Sequence, residues 1–92
     1  MTKHVKVYLD YFGYTGNEFI CCEVCGQRGV DIAHIVARSK FGSKRKDEQD
    51  HINNLMSLCR KCHYDYDFNN KWTTEEMQEI HNNFIDSYGK FY

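Results

Sequence analysis

Four of the chain's cysteines stand in two pairs, Cys22-Glu23-Val24-Cys25 and Cys59-Arg60-Lys61-Cys62. Two residues between thiols let both sulfurs grip one face of a metal ion, and zinc takes four tetrahedral thiolate or imidazole ligands. The two pairs read as a structural zinc clamp joining segments far apart in sequence, with buried free thiols as the bland alternative. Cys21 could replace Cys22, but Cys22 gives the commoner spacing; Cys21 reads as a small apolar strand residue. Thirty-three residues lie between Cys25 and Cys59, and they carry Asp31-Ile32-Ala33-His34-Ile35 and Asn53-Asn54-Leu55. His63 follows Cys62 directly, where a helix would begin.

The elements that must position these residues are short. Ninety-two residues fit one domain with a marginal core, the size at which a metal commonly supplements packing. The domain reads as 1–92, with an N-terminal extension 1–18, a zinc-bearing core 19–68 and a C-terminal helix 73–88. Residues 4–12 fit both an alternating strand and a helical stripe through Val5, Tyr8, Leu9 and Phe12, and helix is the preferred reading. Gly26-Gln27-Arg28-Gly29 supplies the tight turn of a zinc knuckle. Val30 to Val36 predicts a strand because β-branched residues dominate it, and a second short strand falls within Ile52 to Leu58. Residues 37–50 read as a loop. A helix is expected from Cys59 to about Phe68, broken by Asn69-Asn70-Lys71. Thr73 and Glu76 form a capping box for a last helix reaching about Ser87, its stripe Met77, Ile80, Phe84 and Ile85. His4 and His81 are expected at the surface, and Trp72 over the knuckle or the last helix.

Charge and compartment narrow the partners. The net charge of −1 argues against broad, nonspecific coating of nucleic acid, but Arg38, Lys40, Lys44, Arg45 and Lys46 form a local basic run, followed by Asp47, Glu48 and Asp50. No apolar run is long enough to span a bilayer, and Met1-Thr2-Lys3-His4 lacks a signal-peptide core, so a cytoplasmic protein without a membrane partner is expected. There, thiols stay reduced and paired CxxC motifs bind metal more often than they form disulfides. An odd count of five cysteines also fits a closed disulfide set poorly.

Asp31-Ile32-Ala33-His34-Ile35, a basic glycine-containing loop, Asn54-Leu55, Leu58-Cys59 and Cys62-His63 occur in that order. Together they resemble the HNH endonucleases, the ββα-metal or His-Me finger nucleases, and most closely the small phage-type members with a four-cysteine zinc site. The resemblance runs from Cys22 to about Asp67. It implies an α+β fold: a two-stranded antiparallel hairpin plus a helix, closed by the zinc site and flanked by the C-terminal helix. It implies His34 as general base, Asn54 as the residue whose amide pins the loop, and His63 as ligand of a catalytic divalent ion, Mg2+ or a transition metal. Imidazole suits the base because its proton affinity lies near neutrality. The basic run would contact DNA phosphates, Arg38 nearest the scissile one.

One position departs from the family. A His or Asp metal ligand usually precedes the base, and Ala33 stands there. A substitute ligand could come from Asp67, four residues after His63 on the same helix face, from Asp31, which otherwise reads as a structural acid, or from His51. Otherwise Ala33 disables the enzyme, or the domain binds DNA without cutting it. The preferred reading is a metal-dependent DNA endonuclease with a metal site weakened by Ala33 or rebuilt, and Asp67 as the substitute. The rival is a catalytically inactive, zinc-stabilised nucleic-acid-binding module derived from such a nuclease. A zinc knuckle for protein contacts ranks last, because it leaves His34 and the basic run without purpose. The implied setting is phage or mobile-element DNA metabolism in a host cytoplasm, with a homodimer or phage packaging proteins as further partners.

Overall fold

The computed structural model describes residues 3–15, 18–37, 40 and 46–89, with 46, 47, 88 and 89 as backbone only. Its centre is a two-stranded antiparallel hairpin, β1 (Asp31–His34) and β2 (Leu55–Leu58). The register pairs Asp31 with Leu58, Ile32 with Ser57, Ala33 with Met56 and His34 with Leu55. All four β2 residues are buried, because both faces of the hairpin are covered. Met56 and Leu58 face a cluster of Cys22, Ala33, Ile35, Cys62 and Met77. Leu55 faces a second cluster with Tyr8 and Phe12. Side chains alternate across the pleat, so consecutive β2 residues feed opposite clusters.

Helix α1 (Lys3–Phe12) settles the ambiguous first segment as helix. Tyr8 and Phe12 are one turn apart with ring centroids at 4.8 Å, and both reach Leu55, which an extended backbone would not allow. The first strand is shorter than the expected Val30 to Val36. Asn54 explains its end: the side-chain amide takes the N–H and C=O of Val36, so that residue cannot continue the ladder. The second strand begins only at Leu55, after a 3-10 turn over Ile52–Asn54. The expected loop 37–50 contains one short helix, α2 (Lys46–Gln49).

Helix α3 (Arg60–Asp67) follows β2 directly, with Cys59 as its N-cap. Helix α4 (Thr74–Gly89) opens with the expected capping box. The Glu76 N–H donates to Thr73 Oγ1 at 3.1 Å, and the Thr73 N–H donates to Glu76 Oε1 at 2.9 Å. Met77, Ile80, Phe84 and Ile85 turn towards the two clusters as the stripe requires, and Trp72 packs on the same cluster as Met77.

His81 corrects the sequence reading: it is fully buried, not at the surface. It sits one turn after Met77 and one turn before Phe84 and Ile85, on the same stripe, and a polar identity masked that position. Among the described residues, no helix is long and apolar enough to cross a membrane.

Candidate active site

The four cysteines come together. Cys22, Cys25, Cys59 and Cys62 place their sulfurs within 4.8 Å of one another. Cys25 and Cys59 Sγ lie 3.7 Å apart. Tetrahedral zinc with Zn–S bonds of about 2.3 Å requires sulfurs about 3.8 Å apart, so the donor set fits that ion.

Local backbone shapes both halves of the clamp. Gly26 adopts φ +79°, a left-handed conformation that glycine takes without strain, and its N–H returns to Cys22 O at 2.9 Å. Gly29 allows close approach: a Cβ there would lie 2.0 Å from Ser57 Oγ. At the other pair, the Cys62 N–H points at Cys59 Sγ from 3.4 Å. That backbone hydrogen bond is the main cause pulling the Cys59 thiol down to about 7. A depressed thiol gives up its proton to a metal more readily. Burial pushes the Cys62 thiol up.

His63 leaves the first turn of α3 and is held on both edges. Nδ1 lies 3.0 Å from Asp31 Oδ2, and Nε2 lies 3.0 Å from Asp67 Oδ2. Asp31 comes from the start of β1, with Arg60 Nε 3.5 Å from the same oxygen. Asp31 and Asp67 therefore approach the ring from opposite nitrogens. Asp67 is the more open of the two acids, and it lines the cavity that His34 and His63 share, whereas Asp31 does not.

His34 ends β1. Its Nε2 lies 2.9 Å from Asp50 Oδ1, with both side chains largely enclosed. Burial opposes ionisation of Asp50, but its hydrogen bonds to His34 and Gln49 outweigh that and hold the carboxyl below its ordinary value. His4, from α1, lies against the His34 ring with centroids 4.6 Å apart. His4 is thus half-buried at the site and not the surface residue that the sequence suggested.

Asn54 is buried and lies behind His34. Its Oδ1 accepts from the Val36 N–H at 2.8 Å, and Nδ2 donates to Val36 O at 3.2 Å and Gln49 O at 2.9 Å. The Ile35 N–H donates to Asn54 O at 2.8 Å. The two segments that flank His34 and Asp50 are therefore tied to one amide.

His34, His63 and Asp67 line one cavity of about 700 Å³, with Lys40, Tyr66 and Thr74 among its other walls. Tyr66 Oη donates to Ile35 O and so fixes α3 to the end of β1. Ala33 lies outside this wall, with its methyl inside the apolar cluster. His51 is also elsewhere: its Nδ1 caps the 3-10 turn by accepting from the Asn53 N–H at 3.1 Å. Of the basic run, Lys40 reaches the cavity. Arg38, Lys44 and Arg45 lie outside the described residues, and Lys46 is described as backbone in α2.

The HNH endonuclease family model matches residues 22–67, half of the chain. The chain belongs to the HNH endonuclease family. The matched span begins at the first knuckle cysteine used in the clamp and ends at Asp67, so it contains the clamp, the hairpin and helix α3. The HNH assignment carries a nuclease-type function and a metal site at family level. No curated protein and no solved structure gives a significant match to the chain.

Two contacts at this HNH site escaped the sequence reading. Asp50 was absorbed into a run of acids beside a basic loop, and its partner lies 16 residues away. His4 is 30 positions from His34, on an element outside the motif, and nothing in local spacing marks it.

Proposed function

We propose that this HNH protein is a metal-dependent DNA endonuclease in which His34 is the general base and His63 and Asp67 hold the catalytic divalent ion. The observation that carries the reading is the shared cavity: His34 lines it from the hairpin, and His63 and Asp67, with Nε2 and Oδ2 3.0 Å apart, line it from helix α3. An imidazole and a carboxylate on one helix face suit Mg2+, Mn2+ or a later transition metal, with water and phosphate oxygens as the remaining ligands. Such an ion supplies Lewis-acid stabilisation of the scissile phosphate and of the leaving 3′ oxygen.

The protein's own groups do the rest. With Asp50 accepting from Nε2–H, the lone pair of His34 stands at Nδ1, and that nitrogen takes the proton of the attacking water. Asp50 acts as a positioning residue, and Asn54 holds the loop on which the base sits. Asp31 accepts from Nδ1–H of His63, which leaves Nε2 unprotonated as the ligand atom. Asp67 replaces the ligand that Ala33 does not provide. Lys40 and the neighbouring basic run draw the DNA backbone to the cavity, so binding weakens as salt rises. Hydrolysis would leave a 5′ phosphate and a 3′ hydroxyl.

Ala33 favours a second reading, a DNA-binding module without cleavage, because its buried methyl offers no donor. Plasmid nicking separates the two. The nuclease reading expects nicks in at least one of Mg2+, Mn2+ and Ni2+ and their loss in His63→Ala. Salt-dependent binding with no nick in any of these metals would favour the module.

A further inference from the structure

Beside the proposed catalytic ion site stands a second group of ligands that the nuclease chemistry does not use as ligands. His4, His34 and Asp50 place one donor atom each within 4.8 Å of one another, and all three are half-buried. They come from three elements: helix α1, the end of β1 and the turn after α2. The separation of His34 Nε2 and Asp50 Oδ1, 2.9 Å, matches the edge of a coordination polyhedron with bonds of about 2.1 Å, where neighbouring donors sit about 2.9 to 3.4 Å apart. The His4 ring lies beside them, tilted 45° to His34.

We propose that His4, His34 and Asp50 form an inhibitory site for a transition-metal dication, separate from both the cysteine clamp and the His63–Asp67 pair. Two imidazoles and one carboxylate, with a position left for water, are the donor set of zinc, cobalt and nickel sites. Magnesium prefers an all-oxygen, largely hydrated shell, so the group discriminates against it.

The inhibition follows from proton counting. A neutral imidazole carries one proton and one lone pair. In the ion-free site the proton is on Nε2 and faces Asp50. An ion bound at Nε2 takes that lone pair and moves the proton to Nδ1. Both nitrogens are then occupied, and His34 can no longer accept a proton from water. The same cation class that can serve His63 and Asp67 thus silences the base when it fills the second site, whereas magnesium does not. Helix α1 lies outside the matched family span, so this control is an addition to the HNH core.

The inhibitory consequence rests on the nuclease reading; the binding site does not. The test uses the full chain with its cysteine clamp loaded with zinc, in a His63→Ala background that removes the other exchangeable site. Equilibrium dialysis against Zn2+, and the visible spectrum on adding Co2+, count one further ion with nitrogen and oxygen ligands. Adding His4→Gln should weaken that binding at least tenfold, with the thermal midpoint of the clamp-loaded protein unchanged. In the otherwise native protein, nicking in excess Mg2+ should fall as Zn2+ is added. His4→Gln should shift the half-inhibiting Zn2+ concentration upward at least tenfold, each variant being scaled to its own zinc-free rate.

Binding no ion beyond the clamp in the His63→Ala protein overturns the site, as does equal binding with and without His4. Ion binding that depends on His4, in a protein that nicks DNA under no condition, supports the site and overturns the nuclease reading instead. A Zn2+ inhibition curve that His4→Gln leaves in place overturns the inhibitory role.

Discussion

Glu23 and His81, 58 residues apart in sequence, meet at 2.7 Å with both side chains fully enclosed. The second ring nitrogen of His81 lies 2.7 Å from Ile52 O. The other carboxylate oxygen of Glu23 accepts from Tyr8 Oη at 2.6 Å and from the Ser57 N–H at 3.1 Å. Burial, reinforced by the Glu23 charge, pushes the Tyr8 hydroxyl above its ordinary range. One glutamate inside the first CxxC thereby ties helix α1, strand β2 and helix α4 to the first cysteine pair.

His81→Ala leaves that carboxylate enclosed without its imidazole. Breaking a buried pair from one side costs about 3 to 5 kcal/mol. Urea unfolding of the zinc-loaded protein should show that loss. Adding Glu23→Gln to His81→Ala should cost less than the two single changes summed, because they share one network. Strict additivity would mean that the contact contributes nothing specific.

The clamp should govern folding itself. The knuckle and the N-terminus of α3 are joined to the core through Cys22 and Cys62, both buried in it. Stripping the metal with a strong chelator should collapse the dispersion of the amide NMR spectrum, and returning one equivalent of Zn2+ should restore it. Cys25→Ser should lower zinc content and the thermal midpoint together. A well-dispersed spectrum in metal-free protein would contradict a structural role for the ion.

Asp31 should matter through His63 and not through DNA. In the proposed mechanism its contact with Nδ1 would leave Nε2 available to the ion. Asp31→Asn should raise the divalent-ion concentration needed for half-maximal nicking by about 10- to 100-fold, the usual effect of losing such an outer partner. The rate at saturating ion should change far less. Asp67→Ala should raise the same requirement further.

Acid should reveal the Asp50 contact. The groups facing it are His34 on β1, His4 on α1 and the adjacent Gln49. The folded protein holds this carboxyl below its unfolded value of about 3.9, so the contact stabilises the fold above that value. The stabilisation is lost as pH falls through the lower, folded value. The stability gap between native protein and Asp50→Asn should therefore be full near pH 5 and close progressively below about pH 4. A gap that is constant down to pH 2 would rule out a charged contact.

Much of this was legible because it is local. The paired cysteines, Thr73 with Glu76 and the Met77–Ile85 stripe are patterns within one or two turns of chain, and each produced the expected element. The first strand is shorter than its sequence suggests because Val36 looks like a strand residue until Asn54 takes its backbone groups. His81, Asp50 and His4 were missed for a related reason. Each has a partner that only the folded chain brings near, and polar residues at such positions read as surface until the partner is seen. Ala33 shows the reverse. Its identity announced a missing ligand, and only the fold shows its methyl absorbed into the apolar cluster while Asp67 stands beside His63.

In the proposed mechanism His34 draws a proton from water in the cavity it shares with His63. Chemical rescue measures this most directly. His34→Ala should slow plasmid nicking in saturating Mg2+ by about a hundred- to ten-thousand-fold, the usual contribution of a general base. Added imidazole should restore part of that rate in His34→Ala and none of it in His63→Ala. Native-rate nicking by His34→Ala, or imidazole rescue of both variants alike, would contradict the account.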